Sequence, residues 1–307
     1  MKNTEIKKAV RKSYAEIARG GGSCCGPQSS CCSSAAMATS ISKDIGYSSK
    51  DMMGVPQGAN LGLGCGNPVA LAGLKKGEVV VDLGAGAGFD CFLAAKRVGP
   101  KGKVIGVDMT PEMVEKARVN ACRARARNVE FRLGEIEHLP VADNFADVII
   151  SNCVINLAPD KKRVFQEAFR VLKPGGRLMV SDIILLKPLP AAIRKSVGAY
   201  VGCISGASLK TAYLAMLRSA GFRQVVVIDQ KVFNSASVLN SGHLLGVIPK
   251  TILPSYKEFY EDRWFSPGTD TRSRQIELLG EEVPFGTDLL FRLRGIASAI
   301  IGVEICE

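Results

Sequence analysis

From Glu78 onward, short apolar runs alternate with helical patterns, and this alternation constrains the fold more than any other feature of the chain. VVVDL reads as a buried strand. It is followed by a glycine loop, the helix FDCFLAAKRV, the strand KVIGVD, and the helix PEMVEKARVNAC with Pro111 in its first turn. The series continues with NVEFRL and ADVIISN as strands, DKKRVFQEAFRVL as a helix and RLMVSDIIL as a fifth strand. Repeated strand–helix–strand units with strands apolar throughout belong to a parallel sheet covered on both faces. The predicted architecture is α/β, a doubly wound sheet. After Leu186 the pattern loosens into a helix near 191–200, a second helix in LKTAYLAMLRSAGF and a predicted strand in QVVVID, with a domain boundary close to Asp229. Four segments result: a helix and flexible Cys-rich arm over 1–50, the sheet domain over 51–190, a small extension over 191–230, and a piece of different texture over 231–307. A hairpin is predicted around Asn240 to His243.

Hydrophobic residues make up 47 % of the 307-residue chain, enough for a sizeable core, and no apolar run approaches the roughly 20 residues of a membrane span. The first residues, MKNTEIKKAVRKSY, lack the apolar segment of an export signal, which points to the cytoplasm. The net charge of +11 raises the question of nucleic acid. Its densest cluster, Arg118, Arg123, Arg125 and Arg127, falls at a predicted helix end, where cations offset the helix dipole and face solvent. No zinc-finger spacing or RNA-binding aromatic motif accompanies it, so neither a nucleic acid nor a membrane is an expected partner.

VDLGAGAGFD places Gly84, Gly86 and Gly88 between a strand and a helix N-terminus, where backbone N–H groups can approach a ligand. Asp82 precedes the first glycine, and Asp108 ends the next strand, where a carboxylate can accept both hydroxyls of a ribose. These features alone suit a nicotinamide or a methyl-donor cofactor. GEIEHLP, the SN ending the fourth strand and VLKPGGRL complete a pattern that resembles the Rossmann-like class I methyltransferases. That resemblance implies S-adenosylmethionine as cofactor, Met109 packed on its adenine, Ile136 and Glu137 along the adenine edge, and Asn152 near the methionine moiety.

The ten cysteines, in a chain with a large core and no export signal, are expected to be reduced thiols. Cys91 and Cys122 fall within helices and are expected to be buried packing residues. Cys65 in LGCGNP, Cys153 in SNCVINLAPDK and Cys203 in YVGCISGA fall in loops around the strand ends. Over about residues 14–229 these segments resemble the arsenite S-adenosylmethionine methyltransferase family. The resemblance implies that Cys65, Cys153 and Cys203 bind trivalent arsenic and are the catalytic thiols, with Cys31 or Cys32 as an additional one. Soft thiolates suit a thiophilic centre. With only two histidines in the chain, His138 and His243, transfer by positioning needs no base. The implied partners are arsenite or its thiol conjugates and a thioredoxin or small-thiol reductant. The alternatives are methyl transfer to another small acceptor, and a metalloid-binding protein without transfer.

From about Lys231, GVIPKTILPSYKEFYEDRWF, VPFGTDLLF and IGVEICE resemble the glutaminase (nitrilase-like) domain of glutamine-dependent NAD synthetase. The resemblance places Lys250 on that family's catalytic lysine and Cys306 on its nucleophile, while its catalytic glutamate has no counterpart here. The expectation is an incomplete α/β nitrilase-like fragment without amidase activity, joined by a fused reading frame.

Overall fold

The computed structural model describes residues 3–20 and 34–228, together with short strands between 235 and 301. The chain divides into two compact units, Met1–Val225 and Val226–Glu307. The first unit opens with α1 (Asn3–Ala18), α2 (Ser34–Asp44), α3 (Ser49–Met53) and α4 (Pro68–Leu71). It then alternates β1 (Val79–Leu83), α5 (Phe89–Val98), β2 (Lys103–Asp108), α6 (Pro111–Arg123), β3 (Val129–Leu133), β4 (Ala146–Asn152), a 3-10 turn at Ile155–Leu157, α7 (Lys161–Val171) and β5 (Leu172–Ser181). It closes with α8 (Ala191–Lys195), α9 (Val197–Val201) and α10 (Lys210–Ser219).

The five strands pair in parallel in the order β3-β2-β1-β4-β5. β1 is central, and Val80, Val81 and Leu83 are fully buried. Chain order reverses between β1 and β4, and the crevice beyond the strand ends at such a switch point is where open α/β sheets bind ligands. Two apolar layers hold the sheet. One packs α5 and α6 through Phe92, Ala94 and Val114; the other packs α7 and α10 through Phe165, Val164 and Tyr213. Phe165 is fully buried and meets the Tyr213 ring edge-on at 5.1 Å, so truncating it to alanine costs about 3–5 kcal/mol. Helix starts are fixed locally: the Asp160 side chain accepts from Arg163 N–H at 3.0 Å, and Pro111 occupies the first turn of α6.

Four expectations need correction. β5 begins at Leu172 rather than Arg177, because Lys173 to Gly176 bulge opposite the single residue Asp147, between the pairs Ala146↔Leu172 and Val148↔Arg177. It also ends at Ser181, short of Ile183 and Leu185. The helix expected over 191–200 is broken at Ser196, which stops α8 and caps α9 by accepting from Ala199 N–H at 3.2 Å. QVVVID forms no strand over its described residues, and Val226, Val227 and Ile228 are 75, 45 and 57 % exposed. β-branched residues favour strands only where a neighbouring edge pairs with them, and among the described residues no sixth strand flanks β5. Cys122 is exposed on the outer face of α6, unlike the fully buried Cys91.

In the second unit, β6 (Ser235–Asn240) pairs antiparallel with β7 (His243–Pro249), matching the predicted hairpin. β8 (Gln275–Leu278) pairs with β9 (Glu281–Pro284), and β10 (Phe291–Arg292) with β11 (Ile300–Ile301). Lys250, Cys306 and the arm cysteines Cys24, Cys25, Cys31 and Cys32 lie outside the described residues. No described helix is long and apolar enough to cross a membrane.

Candidate functional site

A cavity opens at the switch point, lined by Asp82, Gly84, Gly86, Asp108, Met109, Ile136, Glu137, Asn152 and Cys153 among others. The loop after β1 shapes its floor. Gly84 has φ 68°, and a Cβ there would lie 2.4 Å from Val154 Cγ2, so neither the backbone nor the space admits a side chain. Gly86, at φ 52°, turns its N–H onto Asp108 Oδ2 at 2.9 Å, while Thr110 N–H donates to Asp108 Oδ1 at 2.8 Å. Two backbone donors and the Thr110 side chain therefore fix the Asp108 carboxylate, which lines the cavity. Burial pushes its pKa up, and the two N–H bonds offset part of that shift. Asp82 is pushed up by burial and by Asp90 beside it, and it accepts from the Cys91 thiol at 3.1 Å. Cys91 thus fixes a pocket carboxyl as well as filling space. Gly88 does not line the cavity; it starts α5 and packs against Phe131 and Phe92.

Asn152, at the end of β4, ties the loop floor to the chain around Cys65. Its Oδ1 accepts from Cys65 N–H at 3.0 Å, and its Nδ2 lies 2.8 Å from Gly66 O, 3.0 Å from Tyr47 Oη and 3.1 Å from Asp90 Oδ2. Tyr47 in turn donates to Asp90 Oδ1 at 2.6 Å. Burial and Asp90 raise the Tyr47 phenol far above its usual range, while burial raises Asp90 to about 6.

Three thiols converge beside this network. Cys153 follows Asn152 at φ 59°, and Cys203 follows α9 at φ 63°, both in the left-handed region that costs a non-glycine residue about 1–3 kcal/mol. Of the four described non-glycine residues in that region, two are these cysteines, the pattern of strain held at a working site. The Cys203 thiol donates to Cys153 O at 2.9 Å, the Cys65 thiol to Ser181 O at 3.2 Å, and Cys153 N–H to Ser181 O at 2.8 Å. The Cys153 thiol is brought down to about 4 by the neighbouring thiols of Cys203 and Cys65, against the cost of burial. The same contact with Cys153, together with burial, pushes Cys65 up. The network of thiols favours the thiolate on Cys153 over one on Cys65, and the thiolate is the form that attacks a soft electrophile. His138 is exposed on the surface.

The structure brings together Cys65, Cys153 and Cys203, and all the expected donor residues except Gly88. It adds residues that sequence reasoning passed over. Lys7, Val10 and Tyr14 of α1 line the cavity, and Lys7 pairs with Glu135 at 2.7 Å and with the buried Glu137 at 2.9 Å. Glu137 is thus engaged by the first helix. Tyr47, Asp90 and Asp182 were also missed. Asp90 and Asp182 carried a signal, since one opens the helix after the glycine loop and the other follows the last strand.

A model described as a methyltransferase domain matches residues 74–221. An arsenite methyltransferase of Halobacterium salinarum is 52 % identical over 230 residues, covering 73 % of this chain and 59 % of that protein. The chain thus spans about three fifths of that relative's length. The crystal structure of an arsenic(III) S-adenosylmethionine methyltransferase from Chlamydomonas reinhardtii superposes with a TM-score of 0.51 at 36 % identity, covering 66 % of this chain and 67 % of that one. A glutamine-dependent NAD(+) synthetase of Mycobacterium tuberculosis is 46 % identical over 77 residues, 25 % of this chain and 11 % of that protein.

Proposed function

The chain belongs to the arsenite S-adenosylmethionine methyltransferase family, with that family's class I fold, and we propose that it moves a methyl group from S-adenosylmethionine to trivalent arsenic held by Cys65, Cys153 and Cys203. One observation carries the reading: Cys153 lines the same cavity as Asp108 and the glycine loop while its sulfur belongs to the three-thiol cluster.

The cavity residues fit the donor. Asp108 presents to the cavity a carboxylate already aimed by two N–H groups, Met109 and Ile136 offer apolar surface to an adenine, and the open space above Gly86 admits close approach of backbone to ligand. When bound, the donor supplies an electrophilic sulfonium methyl. Cys153, as thiolate, attacks arsenic first and displaces one of its thiol or hydroxyl groups. Cys65 and Cys203 follow, and each proton they lose leaves on the group displaced. Three sulfur ligands leave arsenic its lone pair, which must come within roughly 3–3.5 Å of the methyl carbon. The products are methylated arsenic and S-adenosylhomocysteine. Arsenic gives up its lone pair in the new bond, so a return to the trivalent state requires two electrons. A thioredoxin or small thiol supplies them, with Cys31 or Cys32 as the relay, which places the protein in the reducing cytoplasm.

Incubation of the full chain with arsenite, S-adenosylmethionine and a thiol should give methylarsenicals that disappear in Cys153→Ser. Methylation of another acceptor with Cys153→Ser still active would overturn the reading, as would arsenite binding without any transfer.

A further inference from the structure

Beside the thiols stands a carboxyl group that methyl transfer does not use. A carboxylate oxygen of Asp182 and the sulfurs of Cys65 and Cys153 all lie within 4.8 Å of one another. Tyr213 donates to Asp182 Oδ2 at 2.7 Å, which orients the group from behind. Oδ1 is sealed from solvent and has no hydrogen-bond partner, although other atoms of the residue reach the surface. A buried acceptor left unsatisfied is costly, and this carboxyl group stands beside two thiols.

Arsenic does not explain it. A trivalent arsenic centre fills a pyramid with three sulfurs and turns its lone pair to the fourth side. A divalent d10 cation has no lone pair and takes four ligands, sulfur at about 2.3 Å and carboxylate oxygen at about 2.0–2.2 Å. Ligands at those distances stand about 3.5–4 Å apart around a tetrahedron, and the ligand atoms of Cys65, Cys153 and Asp182 lie within 4.8 Å of one another. We propose that Cys65, Cys153 and Asp182 hold a thiophilic divalent cation, Zn2+ in the first instance, at a tetrahedral site whose fourth position is open, and that the cation blocks two of the thiols that hold arsenic. Asp182 is the ligand that separates the two occupants: it binds the cation and is dispensable to arsenic. Zn2+ bound in this way inhibits methyl transfer in competition with arsenite.

The competition rests on the arsenic reading of these thiols, whereas the cation site rests on the cluster alone. The test measures Zn2+ affinity of the full chain against a chromophoric chelator, arsenite affinity of the same protein, and zinc released on adding arsenite, each repeated with Asp182→Asn. Asparagine keeps the shape and the Tyr213 bond but weakens the ligand. The expected result is one zinc equivalent weakened about tenfold or more by Asp182→Asn, with arsenite affinity within about twofold of the parent. Zinc affinity unchanged in the variant overturns the proposal, as does equal loss of zinc and arsenite, which would make Asp182 a support of the loops only. Zinc that bound arsenite fails to displace overturns it too. A chain that takes Asp182-dependent zinc but no arsenite would refute the methyltransferase reading and leave the cation site standing.

Discussion

The donor wall and the thiol wall of the cavity are built on different terms. The donor wall is mostly backbone and buried carboxyl groups, assembled from the ends of adjacent strands β1 and β2, and Asp108 is aimed by two N–H groups of its own neighbourhood. The thiol wall draws one sulfur from the loop between α3 and α4, one from the end of β4 and one from behind α9, and holds two of them on strained backbone. A rigid local scaffold suits a ligand that is bound and released intact. Sulfurs brought from distant loops suit a substrate whose bonds must be exchanged one by one. Asn152 joins the walls, since its oxygen accepts from Cys65 N–H while it lines the donor cavity.

If the walls act separately up to the moment of transfer, single substitutions should divide them. The largest effect is expected from Cys65→Ser, which removes one arsenic ligand: turnover should fall by at least about 10³-fold, with donor affinity within about threefold, read by product quantification and calorimetry. Donor affinity lost together with turnover would show that the walls are one structure. Asp108→Ala should lower donor affinity about 100-fold, the worth of two hydrogen bonds to a charged group, and leave arsenite affinity alone. Selective alkylation probes the Cys153 thiolate. Labelling of Cys153 should be flat from pH 8 to about 5 and drop about tenfold per unit below about 4, with Cys65 silent over that range. Because the folded Cys153 titrates below its unfolded value, its contribution to stability is present above the ordinary thiol pKa and is lost as pH falls through about 4. A labelling rate that climbs through pH 7 to 9 would mean an ordinary thiol. The smallest effect belongs to the first helix. Lys7→Met should weaken donor binding only about two- to fivefold, less at high salt, since its pairs with Glu135 and Glu137 are partly open to solvent.

The two walls also differ in how far the sequence exposes them. The loop VDLGAGAGFD and the strand end GVDMT lie in continuous segments whose glycine spacing and apolar periodicity identify strand, turn and helix together, so Asp108, Gly84 and Gly86 could be placed from local pattern. No local pattern brings Cys65 to Cys153, 88 positions away in sequence; only the resemblance to a known family joined them. Tyr47 and Lys7 escaped because each acts through a contact at long range and neither sits in a motif, whereas Asp182 carried its signal only as the residue after the last strand. The strand expected in QVVVID shows the opposite failure: its composition favours a strand, but no partner edge is present among the described residues.

Arsenic-edge X-ray absorption tests the central claim most directly, on protein loaded with arsenite in the absence of added thiol and with Cys24, Cys25, Cys31 and Cys32 replaced by serine. Three sulfur neighbours per arsenic, falling to two in Cys153→Ser, is the predicted result. Oxygen ligation, or a sulfur count untouched by that substitution, would contradict the account.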